Sequence, residues 1–168
     1  MSPHPATLPA DLLLKDCDVT RTRRSGPGGQ HRNKVETAIV LVHRPTGVRA
    51  EASERRSQAQ NHDAAVFRLR VHLAVQVRAE VPGDFTPSPL WKSRCRDGRV
   101  VVNSGHDDFP ALLAEALDVV TAHQMEIKPA AEALGCTTSQ LIKLLQAEPQ
   151  AILLVNRERQ ARGLPILR

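Results

Sequence analysis

Residues 38 to 52 read Ala38-Ile39-Val40-Leu41-Val42-His43-Arg44-Pro45-Thr46-Gly47-Val48-Arg49-Ala50-Glu51-Ala52, and the fold is decided by how this stretch is read. Ala38 to His43 is apolar and β-branched, as strands are. Pro45-Thr46-Gly47 carries turn chemistry and Val48 to Ala52 alternates, so the whole predicts a hairpin. Upstream, Cys17 to Arg23 alternates weakly and predicts a strand that runs into a glycine-rich segment. Downstream, Ser57 to Ala79 sets Val66, Leu69, Leu73 and Val77 at helical spacing, with Arg68, Arg70 and Arg78 mostly off that stripe. A small, mostly antiparallel sheet with one helix packed across it is the simplest way to bury both apolar faces. The expectation is therefore an α+β unit.

Between the first strand and the hairpin lies Ser25-Gly26-Pro27-Gly28-Gly29-Gln30-His31-Arg32-Asn33-Lys34. Ser25, Gly26, Pro27 and Gly28 suit turns, and Gly29 allows a left-handed backbone and close approach by another molecule. Arg21, Arg23 and Arg24 precede this loop, and Arg32 and Lys34 follow its tip. A protruding backbone flanked by cations suits a polyphosphate surface. On composition alone, an ordinary flexible surface loop fits equally well, because a lone motif is only a hypothesis.

The ordered context goes further. An Asp and a basic segment (Asp16 to Arg24) lead into Gly28-Gly29-Gln30, and Asn33-Lys34 follow. Then come the Pro45-Thr46-Gly47 turn and Arg56-Ser57-Gln58 entering a helix. This series resembles the catalytic domain of class-I peptide chain release factors, over roughly residues 11 to 79. The resemblance implies an α+β domain with a protruding GGQ loop. It also implies hydrolysis of the peptidyl-tRNA ester at the peptidyl transferase centre of the large ribosomal subunit.

In that family the backbone amide at the position of Gln30 assists the transition state or the leaving 3′-oxygen, and its side chain helps restrict the space to water. Gly28, Gly29 and Gln30 are accordingly the expected catalytic residues. A carboxamide is not a base at neutral pH, so Gln30 would position and donate rather than abstract a proton. Arg24, Arg32, Lys34, Arg55 and Arg56 are the expected contacts to rRNA or tRNA, though each alone reads equally as an ordinary surface charge. Ser25, Gly26 and Asn33 are read as loop-shaping. For His31, rRNA contact or solvent exposure is favoured over catalysis.

Departures from the family narrow the expectation. Only about ten residues precede the resemblance, which leaves no room for a codon-recognising domain. The stop-codon tripeptides of Pro-x-Thr or Ser-Pro-Phe type are missing, and Ser88-Pro89-Leu90 lacks their context. The chain thus resembles the short, codon-independent members that release nascent chains from stalled ribosomes. A noncatalytic ribosome- or RNA-binding protein that kept the fold is the alternative. Some short members carry a long basic C-terminal tail, whereas here the C-terminal part is mixed in charge. A stalled ribosome and a split large subunit both remain open as targets.

Composition bounds the rest. The 168 residues are 41% hydrophobic, enough for one moderate core and a small second unit. No apolar run approaches the ~20 residues that span a bilayer. The N-terminus lacks a secretory pattern, so a cytoplasmic protein without membrane association, monomeric in solution, is expected. Cys17, Cys95 and Cys136 form no Cys-x-x-Cys pair, arguing against a disulfide framework or zinc site; no metal and no cofactor are expected. Residues 1–79 hold 13 Lys and Arg against 7 Asp and Glu, and residues 80–168 hold 10 against 11. The positive surplus thus travels with the loop. Aromatic residues are too few for stacking platforms, so RNA binding should rest on phosphates and shape.

The domain expectation is residues 1–80 for the catalytic unit, a Pro-rich linker at 81–89, and a helical unit at 90–168. In the last, residues 90 to 103 predict a short hairpin tipped by Asp97-Gly98. Asp108 is expected to cap a helix through Thr121, with Leu112, Leu113, Ala116, Leu117 and Val120 as its apolar face. Pro129 to Leu134 and Ser139 to Ala147 read as helix, turn, helix, and a final helix runs from Pro149 to Ala161. The helix-turn-helix segment raises duplex-DNA reading through Ser139, Gln140 and Lys143, against an αα-hairpin packed in a bundle. For rRNA docking, Arg157, Arg159, Arg162 and Arg168 are the C-terminal candidates.

Overall fold

The computed structural model describes residues 3–23 and 37–168, and they divide into two units, Met1–Gln76 and Val77–Arg168. In the first unit a 3-10 turn, Pro5–Thr7, and a short helix α1, Ala10–Lys15, precede strand β1, Cys17–Thr22. Strands β2, Ala38–His43, and β3, Arg49–Ala52, follow, and helix α2 runs over Gln58–Gln76. The sheet is antiparallel in the order β1-β2-β3.

Register explains the burial. Ile39 pairs with Ala52 and Leu41 with Ala50, and since alternate residues share a face, these four together with His43 point into the core. Leu41 is fully buried. Strand β1 is an edge strand with only Cys17 buried; Val19, opposite Leu41, is 45% exposed.

The β2–β3 turn closes through the Gly47 amide, which donates to His43 O at 2.7 Å, with Gly47 at φ +72°. No side chain at that position would adopt this backbone cheaply. Thr46 Oγ1 accepts from Val48 N and lies 2.7 Å from His43 Nδ1. Burial holds the buried His43 imidazole below its ordinary pKa.

Helix α2 buries Asn61, Ala65, Leu69 and Leu73 along one stripe. Leu69 and Leu73 alone contribute about 2 kcal/mol each by the usual area relation. Val66 is buried as well, but Val77, expected on the same stripe, lies beyond the helix end. Val71 and Val75 are buried in addition, because the N-terminal segment covers a further side of the helix: Arg70 Nε donates to Ala6 O at 3.1 Å. Neither this segment nor α1 is signalled by periodicity, since both are too short to show one.

The second unit is mainly helical. Helix α3, Pro89–Arg94, leads into a hairpin of β4, Cys95–Arg96, and β5, Arg99–Val100. Helices α4, Phe109–Ala122, α5, Ile127–Leu134, α6, Thr138–Gln146, and α7, Pro149–Ala161, complete it. The hairpin is shorter than expected because Ser88 starts a helix instead. Its Oγ accepts from Trp91 N at 3.0 Å and donates to Glu115 Oε2 at 2.6 Å.

At the tip, Asp97 and Gly98 have φ of 50° and 75°, the paired left-handed conformation that two-residue hairpin turns demand. Helix α4 is buried nearly all round, with Ala111, Ala114 and Val119 added to the expected face, as befits a central helix. Trp91 is 1% exposed and donates its indole N–H to Leu134 O at 2.7 Å. Asp108 precedes α4 but makes no side-chain cap; its carboxylate is drawn to Arg94, a charge-assisted pair that outcompetes a neutral cap.

Candidate functional site

The glycine-rich loop is rooted where β1 ends and β2 begins. Thr22 and Ala38 are direct cross-strand partners, so the connection leaves and re-enters the sheet at one point. The expected catalytic residues Gly28, Gly29 and Gln30 lie outside the described residues, as do Arg24, Arg32, Lys34, Ser25, Gly26, His31 and Asn33. The structure therefore speaks to the foot of the loop.

At that foot a single buried amide organises three backbone groups. Asn61, in the first turn of α2 and 0% exposed, donates through Nδ2 to Thr37 O at 2.7 Å and to Arg55 O at 3.0 Å. Its Oδ1 accepts from Arg55 N at 3.0 Å. Thr37 is the residue by which the loop returns to β2, and it is itself buried. One side chain thus fastens the returning end of the loop to the segment that carries Arg55 and Arg56.

Sequence reasoning passed over Asn61. A signal existed: positions 61, 65, 69 and 73 fall at i, i+4 intervals, so an amide occupies the buried stripe, and a buried amide needs partners.

Arg21, Arg23, Arg55 and Arg56 are exposed. Glu54, immediately before Arg55, is engaged elsewhere: it accepts from Arg68, and that bond, with backbone amides, holds its carboxyl down at about 2. Among the described residues, none of the four arginines forms an ion pair.

The C-terminal candidates fare differently. Arg159 is 7% exposed and donates to Pro165 O at 2.7 Å and to Met125 O, so it braces the chain end rather than offering a surface charge. Arg162 pairs with Glu158 at 2.8 Å and Arg157 lies 3.7 Å from the same residue. Arg168 is exposed.

The helix-turn-helix segment is present as a pair of helices. Helices α5 and α6 are joined by Gly135 at φ +68°, and the start of α6 is hydrogen-bonded to the hairpin. Thr137 N donates to Gly98 O at 3.0 Å, and Gln140 Oε1 accepts from Val100 N at 3.2 Å. The second bond engages the Gln140 carbonyl oxygen, while Ser139 and Lys143 are exposed.

Among the described residues no group of His, Cys, Asp and Glu is arranged to hold a metal ion, and no helix is long and apolar enough to cross a membrane. Burial raises all three thiols, Cys136 to about 11, so none is a ready nucleophile.

Residues 8–83 match the RF-1 domain. Over 65 residues the chain is 48% identical to the chloroplastic peptide chain release factor PrfB1 of Arabidopsis thaliana, covering 39% of this chain and 14% of that protein. It is 42% identical over 73 residues to peptide chain release factor 1 of Xylella fastidiosa, covering 42% and 20%. With the human mitochondrial peptide chain release factor 1 it shares 40% identity over 75 residues, covering 45% and 17%. The chain thus spans a fifth or less of the length of these relatives.

Proposed function

We propose, on the premise that residues 8–83 make this chain a member of the class-I peptide chain release factor family, that it is a codon-independent peptidyl-tRNA hydrolase. It releases nascent chains from stalled ribosomes or large subunits in the cytoplasm. The observation that carries this reading is the foot of the loop. Gly28-Gly29-Gln30 stands in the sequence between Thr22 and Ala38, which are paired across the sheet, and Asn61 holds Thr37 beside Ala38.

The chemistry asks little beyond placement. A water oxygen bonds to the ester carbonyl carbon, the bond to the tRNA 3′-oxygen breaks, and that oxygen takes up a proton. Rate comes from holding water in line and from donors aimed at the developing negative charge. The backbone N–H of Gln30 supplies such a donor, Gly28 and Gly29 let it approach, and the carboxamide limits the space to water. Arg24, Arg32, Lys34, Arg55 and Arg56 hold the unit on rRNA phosphates. All of these residues lie within Met1–Gln76.

The test is peptide release from isolated ribosomes carrying labelled peptidyl-tRNA with an empty A site, at equal occupancy of each variant. Release by wild type that falls about 100-fold or more in Gly29→Ala, and by less in Gln30→Ala, which keeps the backbone N–H, with no stop codon, is the expected result. Tight binding without release points instead to a noncatalytic ribosome-binding protein.

A further inference from the structure

The second unit carries a cationic groove that the release chemistry does not use. It has a volume of about 830 Å³ and lies between the hairpin and α6. Arg96 and Arg99 line it from the hairpin and Lys143 from α6. All three are exposed, and none makes an ion pair among the described residues. Asp97 is the one carboxylate on its wall.

The rest of the unit makes this concentration notable. Arg78 pairs with Asp118, Arg94 with Asp108, and Arg162 with Glu158, while Arg159 is turned inward. Residues 80–168, with 10 cations against 11 acids, thus engage Arg94, Arg159 and Arg162 internally, yet leave three cations facing one concavity. The groove itself is held open by structure, since Thr137 N bonds Gly98 O and Gln140 bonds Val100 N.

We propose that this groove holds the phosphodiester backbone of RNA. Cations from two elements along an open channel follow a line of phosphates, and Gln146 adds an amide donor of the kind that positions a backbone. Val101, 66% exposed on the same wall, offers an aliphatic face to ribose. A protein partner is the weaker fit: no aromatic side chain lines the groove, whereas tight protein interfaces centre on such anchors. The choice of RNA among polyanions rests on the ribosomal reading above. Unit 2 thereby gives the protein a second grip on ribosomal RNA, independent of the loop.

The experiment uses the full chain and a fluorescein-labelled RNA hairpin, followed by fluorescence anisotropy at several salt concentrations. Arg96→Gln/Arg99→Gln/Lys143→Gln is compared with a charge-matched control, Lys15→Gln/Lys92→Gln/Lys128→Gln. These six side chains are exposed, and circular dichroism checks that both variants fold.

The groove variant is expected to bind about tenfold or more weakly at 0.1 M salt, with a salt slope shallower by about 2 to 3, as three lost phosphate contacts require. The control is expected to keep its slope within about one of wild type. Equal losses in both variants, or no loss in the groove variant, overturn the proposal. So does tighter binding to a DNA duplex of the same sequence. A glutamate-rich peptide that binds wild type and not the groove variant, with RNA affinity unchanged, overturns it in favour of an acidic protein partner. Because the readout is RNA affinity, failure of peptide release in the assay above leaves this result separately interpretable.

Discussion

Asn61 Nδ2 donates to Thr37 O at 2.7 Å, so the first turn of α2 holds the residue at which the glycine-rich loop re-enters the sheet. The same side chain brackets Arg55 from both its N–H and its C=O. Replacing it leaves three buried or half-buried backbone groups without partners. Asn61→Ala is expected to destabilise the first unit by about 2–4 kcal/mol, read as a lower urea midpoint with unchanged slope. Asn61→Asp keeps the acceptor for Arg55 N and loses both donors. At a temperature where it is folded, it should still release peptide more slowly than wild type while binding ribosomes equally. Parallel loss of binding and release would show that Asn61 acts only on stability.

Arg55 and Arg56 flank that anchor with exposed side chains. The double variant Arg55→Gln/Arg56→Gln should fold normally and bind ribosomes more weakly, with a salt slope shallower by about 1 to 2. Co-sedimentation across a potassium series reads this directly. An unchanged slope would remove both residues from the rRNA-contacting set.

Gly98 meets two demands at once. Its φ is +75°, and a Cβ there would sit 3.2 Å from Thr137 Cγ2. Gly98→Ala is expected to cost about 1–2 kcal/mol through the left-handed backbone, plus a contribution from the close contact. Thr137→Ser removes that methyl while keeping the hydroxyl that caps α6. It should therefore be less damaging in the Gly98→Ala background than in wild type, a coupling that a thermal double-mutant cycle measures.

Asp118 is buried beside Arg78 at 3.1 Å and accepts from Ala79 N at 3.0 Å. Burial nonetheless raises its carboxyl from 3.8 to about 6, with the Ala79 amide and Arg78 pulling the other way. A folded-state pKa above the unfolded one means that the folded form holds its proton longer. Stability from this group is thus full below about 4 and is lost as pH rises through about 6. The loss is on the order of 2–3 kcal/mol. Asp118→Asn, which still accepts from Ala79, should flatten the fall in denaturant midpoint between pH 4 and 7. A decline of equal size in the variant would place its origin elsewhere.

The three strands, the turn at Pro45-Thr46-Gly47 and helix α2 were legible in the sequence. Each is encoded by neighbours a few residues apart, through alternation, turn chemistry or helical spacing. So were the last four helices of the second unit, within two residues at each end, whereas α3 was not. The functional reading rested on a short, ordered motif series whose residues are likewise close in sequence.

What the sequence could not reveal depends on partners far along the chain. Asn61 meets Thr37 across 24 residues, Gln140 meets Val100 across 40, and Arg159 meets Met125 across 34. Nothing in the composition of α7 distinguishes buried Arg159 from exposed Arg157. Only the folded chain brings backbone carbonyls within reach of one guanidinium and leaves the other in water. The same holds for the groove, where Arg96, Arg99 and Lys143 are ordinary charges in sequence and become one surface when Thr137 binds Gly98. Local pattern determined which elements form, because backbone geometry is short-ranged. Tertiary packing decided which polar groups are satisfied and which cations remain for a partner, because solvation and charge depend on proximity in space.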